Sequence, residues 1–141
     1  MTDETPAERT MSFESYIPPV DESGSHRLST QDRAAIDALQ PDCALLIVHH
    51  GPNLGARFLL DVDVTTAGRS VDCDIFLDDV TVSREHARFE RRTGGFAVVD
   101  SKSLNGTYVN RQSITEHDLA EGDEVQIGKY RMTYYPAPQA S

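Results

Sequence analysis

The chain has 141 residues and a formal net charge of −10, from 23 acidic and 13 basic side chains, and 38% of it is hydrophobic. That length holds one domain with a tail rather than two domains, and the low hydrophobic share implies a small core or a segment that does not fold. The acidic balance argues against nucleic acid or an anionic bilayer as the main partner, and no apolar run is long enough for a membrane span or a signal sequence.

Residues 1–42 carry nine acids and three bases, and apolar periodicity is absent through Ser29, with Pro6, Pro18 and Pro19 interrupting. Such a stretch cannot bury enough surface to offset the entropy of ordering and reads as a disordered acidic tail. A short helix over 29–39 is the one candidate element in it: Ser29 and Asp32 fit a capping box, and Ala35, Ile36 and Leu39 share a face. Alone, that helix is too short to persist and reads as a turn in a linker.

From Cys43 the period becomes that of strands, with apolar or β-branched runs at 44–48, 57–60, 64–67, 75–77, 86–90, 96–99, 107–109, 125–127 and 130–135. Turn signals separate them at Gly51-Pro52-Asn53, Gly94-Gly95, Asn105-Gly106, Gly122-Asp123 and Gly128-Lys129, and no helical pattern intervenes. Regular short strands without helices predict an all-β antiparallel sandwich or barrel over 43–135, followed by a short tail over 136–141. Alternation along 86–90 places Phe89 in the core. Cys43 and Cys73 lie in apolar sequence without CxxC spacing and read as buried thiols, which makes a reducing cytoplasm the expected location.

Loops at one end of a sandwich commonly carry function, and three here concentrate small polar and cationic groups: Gly68-Arg69-Ser70, Val82 to His86, and Ser101 to Thr107 with Lys102. Guanidinium forks, hydroxyl donors and backbone N–H groups together form the donor set for a phosphate dianion. Taken singly, each residue has a plainer reading as a turn former or a solvated surface charge.

Together, Gly68-Arg69, Ser83-x-x-His86 and Asn105-Gly106, in that order and at those separations within an all-β chain, resemble the forkhead-associated (FHA) domain over about 43–135. The resemblance implies a β-sandwich of two antiparallel sheets with about eleven strands, whose apical loops bind a phosphothreonine peptide. It implies that Arg69 and Ser83 contact the phosphate with Arg84 or its neighbour assisting, that Asn105 bonds the backbone of the bound peptide with Ser103 also in the site, and that Gly68, His86 and Gly106 hold the loops in place. Leu104 departs from the Ser or Thr often found before the Asn.

Ala67-Gly68-Arg69-Ser70, the run from Asp74 to His86, Ser103 to Asn110 and Gly122 to Lys129 are closer still to the small actinobacterial FHA regulators of the glycogen accumulation regulator type. That resemblance implies a noncatalytic, cytoplasmic, monomeric protein without cofactor. It would inhibit 2-oxoglutarate dehydrogenase and act on glutamate metabolism, with glutamate dehydrogenase or glutamate synthase as further partners. Ser/Thr protein kinases would switch it off by phosphorylating its tail, which then binds its own apical loops. The adjacent threonine pair usual in that tail is absent, and Thr10 in Glu8-Arg9-Thr10-Met11-Ser12-Phe13 is the expected site. The alternative role is an adaptor that docks Ser/Thr kinases.

Other signals carry less. Gly122 to Lys129 superficially resembles a P-loop, but Tyr130 replaces the Ser or Thr and no helix follows. His26, His49, His50 and His117 lack metal-ligand spacing and read as surface histidines. An esterase built on Ser83 and His86, with Asp100 as orienter, lacks a nucleophile elbow.

Overall fold

Side chains that alternate along each strand sort the described residues, 28–138 of the computed structural model, into two facing sheets. In chain order the elements are α1 (Thr30–Asp37), β1 (Ala44–His50), β2 (Arg57–Leu60), β3 (Val64–Gly68), β4 (Ile75–Phe76), β5 (Ala87–Arg92), β6 (Gly95–Asp100), β7 (Thr107–Val109), β8 (Gln112–Ile114), β9 (Glu116–Asp118), β10 (Glu124–Ile127) and β11 (Tyr130–Pro136). One sheet has five strands in the order β9-β6-β5-β3-β4, and the other has six in the order β2-β1-β11-β10-β7-β8. Neighbours are antiparallel except β3 and β4, where Ala67 and Gly68 run parallel to Ile75 and Phe76. Thr10 and His26 lie outside the described residues.

The core lies between the sheets. Ile75, Phe89, Phe96 and Val98 meet Leu46, Val48, Leu60, Ile127, Met132 and Tyr134, all buried. Each large side chain there contributes roughly 1.5 to 3 kcal/mol relative to exposure. Phe89 sits where alternation along 86–90 puts it, and it pairs with Thr65 and Val98 on its two neighbours.

Leu45 and Ile47 point away from that core and are nevertheless buried. Ile47 stands beside Arg57 in the β1–β2 pair, and the Arg57 guanidinium donates to Asp32 of α1 at 2.9 Å. Ile36 of the helix is also buried. The segment that reads in isolation as a linker turn is therefore helical from Thr30 to Asp37, because tertiary burial supplies what eight residues cannot supply alone. At the other end, β11 runs through Pro136 and the Ala137 N–H donates to the Cys43 carbonyl at 3.0 Å, so pairing continues past residue 135.

Strands β8 and β9 have no counterpart among the apolar runs of the sequence, since almost every side chain in them faces solvent. They are held by backbone pairing to β7 and β6. The β7–β8 turn is Asn110-Arg111, both left-handed at φ 50° and 72°. The Asn110 side chain stabilises it by accepting from the Glu124 N–H at 3.0 Å and donating to Asp123 at 3.1 Å. Both cysteines are free thiols and half-buried rather than buried, a correction to the sequence reading. Among the described residues no helix is long and apolar enough to cross a membrane.

Candidate functional site

Three loops, 69–74, 77–86 and 101–106, meet at one end of the sandwich and are joined through their backbones. The Arg69 N–H donates to the Ser83 carbonyl at 2.9 Å, the Ser70 N–H to Arg84 at 3.1 Å, and the Ser101 N–H to His86 at 2.9 Å. Gly68 makes the second of these approaches possible: a Cβ on it would lie 2.1 Å from the Arg84 carbonyl oxygen and 3.0 Å from the Cys73 Sγ. Its role is close packing and not a left-handed turn. Gly68→Ala is expected to cost about 1 to 3 kcal/mol of stability through overpacking and to weaken ligand binding by pushing the 83–86 segment outward. Equal denaturant midpoints for parent and variant would contradict this.

His86 ties the second loop to the third. It is 0% exposed. The Ser83 N–H donates to its Nδ1 at 3.0 Å, so Nδ1 carries no proton, and Nε2–H donates to the Gly106 carbonyl at 2.8 Å. Burial, the dominant influence, holds the imidazole below its ordinary 6.5 despite the opposing pull of the Gly106 carbonyl and Asp100, which suits this neutral tautomer. Gly106 itself sits at φ +85°, where a Cβ is disfavoured.

Asp100 does the same work inside the third loop. Its Oδ1 accepts from the Ser103 hydroxyl at 2.5 Å and the Thr107 hydroxyl at 2.7 Å, and its Oδ2 from the Ser103 N–H at 3.2 Å. Burial pushes this carboxyl up, and the hydrogen bonds more than offset it, so its pKa is lowered overall. The Ser103 hydroxyl proton goes to Asp100, so Ser103, expected at the ligand site, also braces the loop.

Arg69, Ser83, Arg84 and Asn105 keep donors turned to solvent. Arg69 anchors its Nε on the Val82 carbonyl at 3.0 Å, which leaves its terminal nitrogens free. The Ser83 Oγ accepts from the Leu104 N–H at 2.9 Å and retains its own proton for donation. Asn105 uses one Nδ2–H on the Thr81 carbonyl at 2.9 Å, leaving the other and its Oδ1. Five arginines elsewhere are paired: Arg57 with Asp32, Arg88 and Arg92 with Glu90, Arg91 with Asp63, and Arg111 with Glu124. Among the described residues Arg69, Arg84 and Lys102 take part in no ion pair and are exposed. Around them Val71, Val80 and Leu104 stand out at 80%, 88% and 89% exposure. The end is therefore a set of uncommitted cationic and neutral donors with an apolar rim, suited chemically to a dianion carried on a peptide.

Neither imidazole nitrogen of His86 is directed at the Ser83 hydroxyl, and Asp100 is occupied by Ser103 and Thr107, so the Ser-His-Asp arrangement of an esterase is not assembled. The run from Gly122 to Lys129 is strand β10 and its turn. His49, read as a surface histidine, is half-buried between Glu124 at 2.9 Å and the Thr133 hydroxyl at 2.6 Å. Among the described residues no group of three His, Cys, Asp or Glu side chains could hold a metal ion. Sequence reasoning passed over Asp79 and Thr81, because a single Asp-x-Thr turn has no signature of its own.

A family model for the FHA domain matches residues 65–128. The chain is 56% identical over 106 residues to the glycogen accumulation regulator GarA of Mycobacterium tuberculosis, covering 75% of this chain and 65% of that protein's length. It is 49% identical over 131 residues to the oxoglutarate dehydrogenase inhibitor of Corynebacterium jeikeium, covering 93% of this chain and 90% of the relative. Among solved structures, one from a structural and functional analysis of phosphothreonine-dependent FHA domain interactions superposes with a TM-score of 0.63 at 27% identity, covering 69% of this chain and 99% of that chain. Mycobacterium tuberculosis EmbR in complex with a low-affinity phosphopeptide also gives 0.63, at 26% identity, covering 86% of this chain and 28% of that chain.

Proposed function

The chain belongs to the FHA-domain family, and from that premise we propose that it is a noncatalytic, cytoplasmic phosphothreonine reader that binds and restrains 2-oxoglutarate dehydrogenase. The observation that carries the reading is the apical donor set: the free guanidinium end of Arg69, the unshared Ser83 hydroxyl proton, the half-used Asn105 amide and the unpaired Arg84. A phosphothreonine carries close to two negative charges near neutral pH, and Arg69 with Ser83 meets them with charge-assisted bonds. Asn105 then holds the backbone of the bound peptide, and the apolar rim of Val71, Val80 and Leu104 offers contact area to a larger partner.

The relatives named as a glycogen accumulation regulator and as oxoglutarate dehydrogenase inhibitors support the metabolic half of the proposal. Glutamate dehydrogenase or glutamate synthase would be further partners. The switch is phosphorylation of Thr10 by a Ser/Thr protein kinase, after which the tail occupies its own apical loops. At an effective concentration on the order of 1 mM, an intrinsic affinity of about 1 μM favours the closed form roughly a thousandfold.

Affinity capture from a cell lysate tests this directly, using the unphosphorylated and the kinase-treated chain as baits, with 2-oxoglutarate dehydrogenase activity measured in the presence of each. The unphosphorylated chain is expected to capture and inhibit the enzyme, the phosphorylated chain to do neither, and Thr10→Ala to stay active after kinase treatment. Arg69→Ala and Asn105→Ala should both weaken capture. Kinases captured in place of metabolic enzymes would favour the adaptor role. Equal inhibition before and after phosphorylation would overturn the switch.

A further inference from the structure

Residues 81 to 83 form a strap across the apical end, and each of the three holds one side of the candidate pocket. The Thr81 carbonyl accepts from the Asn105 amide, the Val82 carbonyl accepts from Arg69 Nε, and the Ser83 N–H donates to His86. Arg69 and Asn105, which come from two different loops, are therefore held by adjacent peptide units of one segment.

The strap is fixed at Thr81. Its hydroxyl proton and its N–H both go to the Asp79 carboxylate, the N–H at 2.9 Å. The same hydroxyl oxygen accepts from the Lys129 N–H in the β10–β11 turn at 3.0 Å. Gly128 makes that last contact possible: a Cβ there would lie 2.4 Å from the Thr81 Oγ1 and 2.9 Å from its carbonyl oxygen. Thr81 thus joins the loop of the five-stranded sheet to a turn of the six-stranded sheet through one hydroxyl that both donates and accepts.

We propose that Thr81 is a positioning residue for ligand binding: its hydroxyl, clamped between Asp79 and Lys129, sets the strap that aims Arg69 and Asn105. This rests on the reading of the apical loops as a phosphothreonine site. Removing the hydroxyl loosens the backbone on which both arms are mounted, so the loss appears in affinity although Thr81 touches no ligand.

The probe is the tightest peptide that the parent chain selects from a degenerate phosphothreonine library, titrated by calorimetry against Thr81→Val, Thr81→Ser and Asp79→Ala, with thermal unfolding of each. Thr81→Val is expected to bind roughly tenfold weaker or more, the order seen when groups that orient metal ligands are removed. Thr81→Ser, which keeps the hydroxyl, should stay within about twofold of the parent, and Asp79→Ala should follow Thr81→Val. A double-mutant cycle separates positioning from general loosening: the effect of Thr81→Val should shrink once Asn105 is alanine, because one of the two arms is already gone. Parent-like binding by both Thr81→Val and Asp79→Ala, or an effect of Thr81→Val that is undiminished on Asn105→Ala, overturns the inference while leaving the binding site standing. If the parent selects no peptide from the library, the site itself is wrong and this inference falls with it.

Discussion

Arg69→Ala is expected to weaken phosphothreonine-peptide binding by about 2 to 5 kcal/mol, the range for removing one partner of a desolvated charge pair, or roughly 30- to 4,000-fold in Kd. The geometry supports the upper part of that range. Arg69 is held by its own backbone N–H on Ser83 and by its Nε on Val82, so its terminal nitrogens are presented with little freedom left to lose on binding. Arg69→Lys should recover only a fraction, because an ammonium cannot both bond the Val82 carbonyl and offer a two-pronged donor to a phosphate. Ser83→Ala, which removes a single hydroxyl donor to a charged group, should cost about 1.5 to 3 kcal/mol. Calorimetric titration of the folded variants decides it; parent-like affinity in both Arg69→Ala and Ser83→Ala would move the site elsewhere on the sandwich.

What the sequence disclosed follows from which groups meet the core. Phe89, Leu46 and Val98 are legible because burial on one face leaves a period of two, and the nine apolar runs all became strands. Strands β8 and β9 were silent because their pairing is carried by backbone groups, which every residue has, and their side chains face water. The helix from Thr30 was undervalued for the opposite reason: its local signals are weak, and the contact that anchors it, Arg57 to Asp32, spans 25 residues of sequence.

The site divides along the same line. Gly68, Ser83, His86 and Asn105 to Gly106 form a recognisable spacing because loop architecture fixes each residue type, and the close approach at Gly68 shows how strictly. The braces behind them do not form a spacing. Asp100 holding Ser103 and Thr107, and Asp79 holding Thr81, are short carboxylate–hydroxyl turns of a kind found in many loops, and only their neighbours give them a function. Nothing in the sequence says which way the Ser103 hydroxyl turns, and the structure turns it to Asp100.

The other large effect is expected at His86, in stability. Truncation to alanine leaves the Ser83 N–H without its acceptor and the Gly106 carbonyl without its donor at a position closed to solvent. Each orphaned group costs about 1 to 3 kcal/mol, so His86→Ala is expected to lose about 2 to 6 kcal/mol before any cavity cost, against a typical total of about 5 to 15. The same geometry fixes a pH dependence. Because burial lowers the imidazole below its ordinary 6.5, the unfolded chain takes up the proton first as pH falls. The contribution of His86 is therefore complete above about pH 6.5 and is lost as pH falls from there through the lower folded value. Protonation would also place a hydrogen on Nδ1 facing the Ser83 N–H, so the second and third loops should separate as the fold weakens. Denaturant unfolding of parent and variant between pH 7.5 and 4.5 tests both statements: the gap between them should be widest at neutral pH and should narrow on acidification. A gap that stays constant across this range would mean that His86 does not titrate as the buried neutral tautomer requires, and a gap near zero at neutral pH would mean that the two loops are held together by something other than this imidazole.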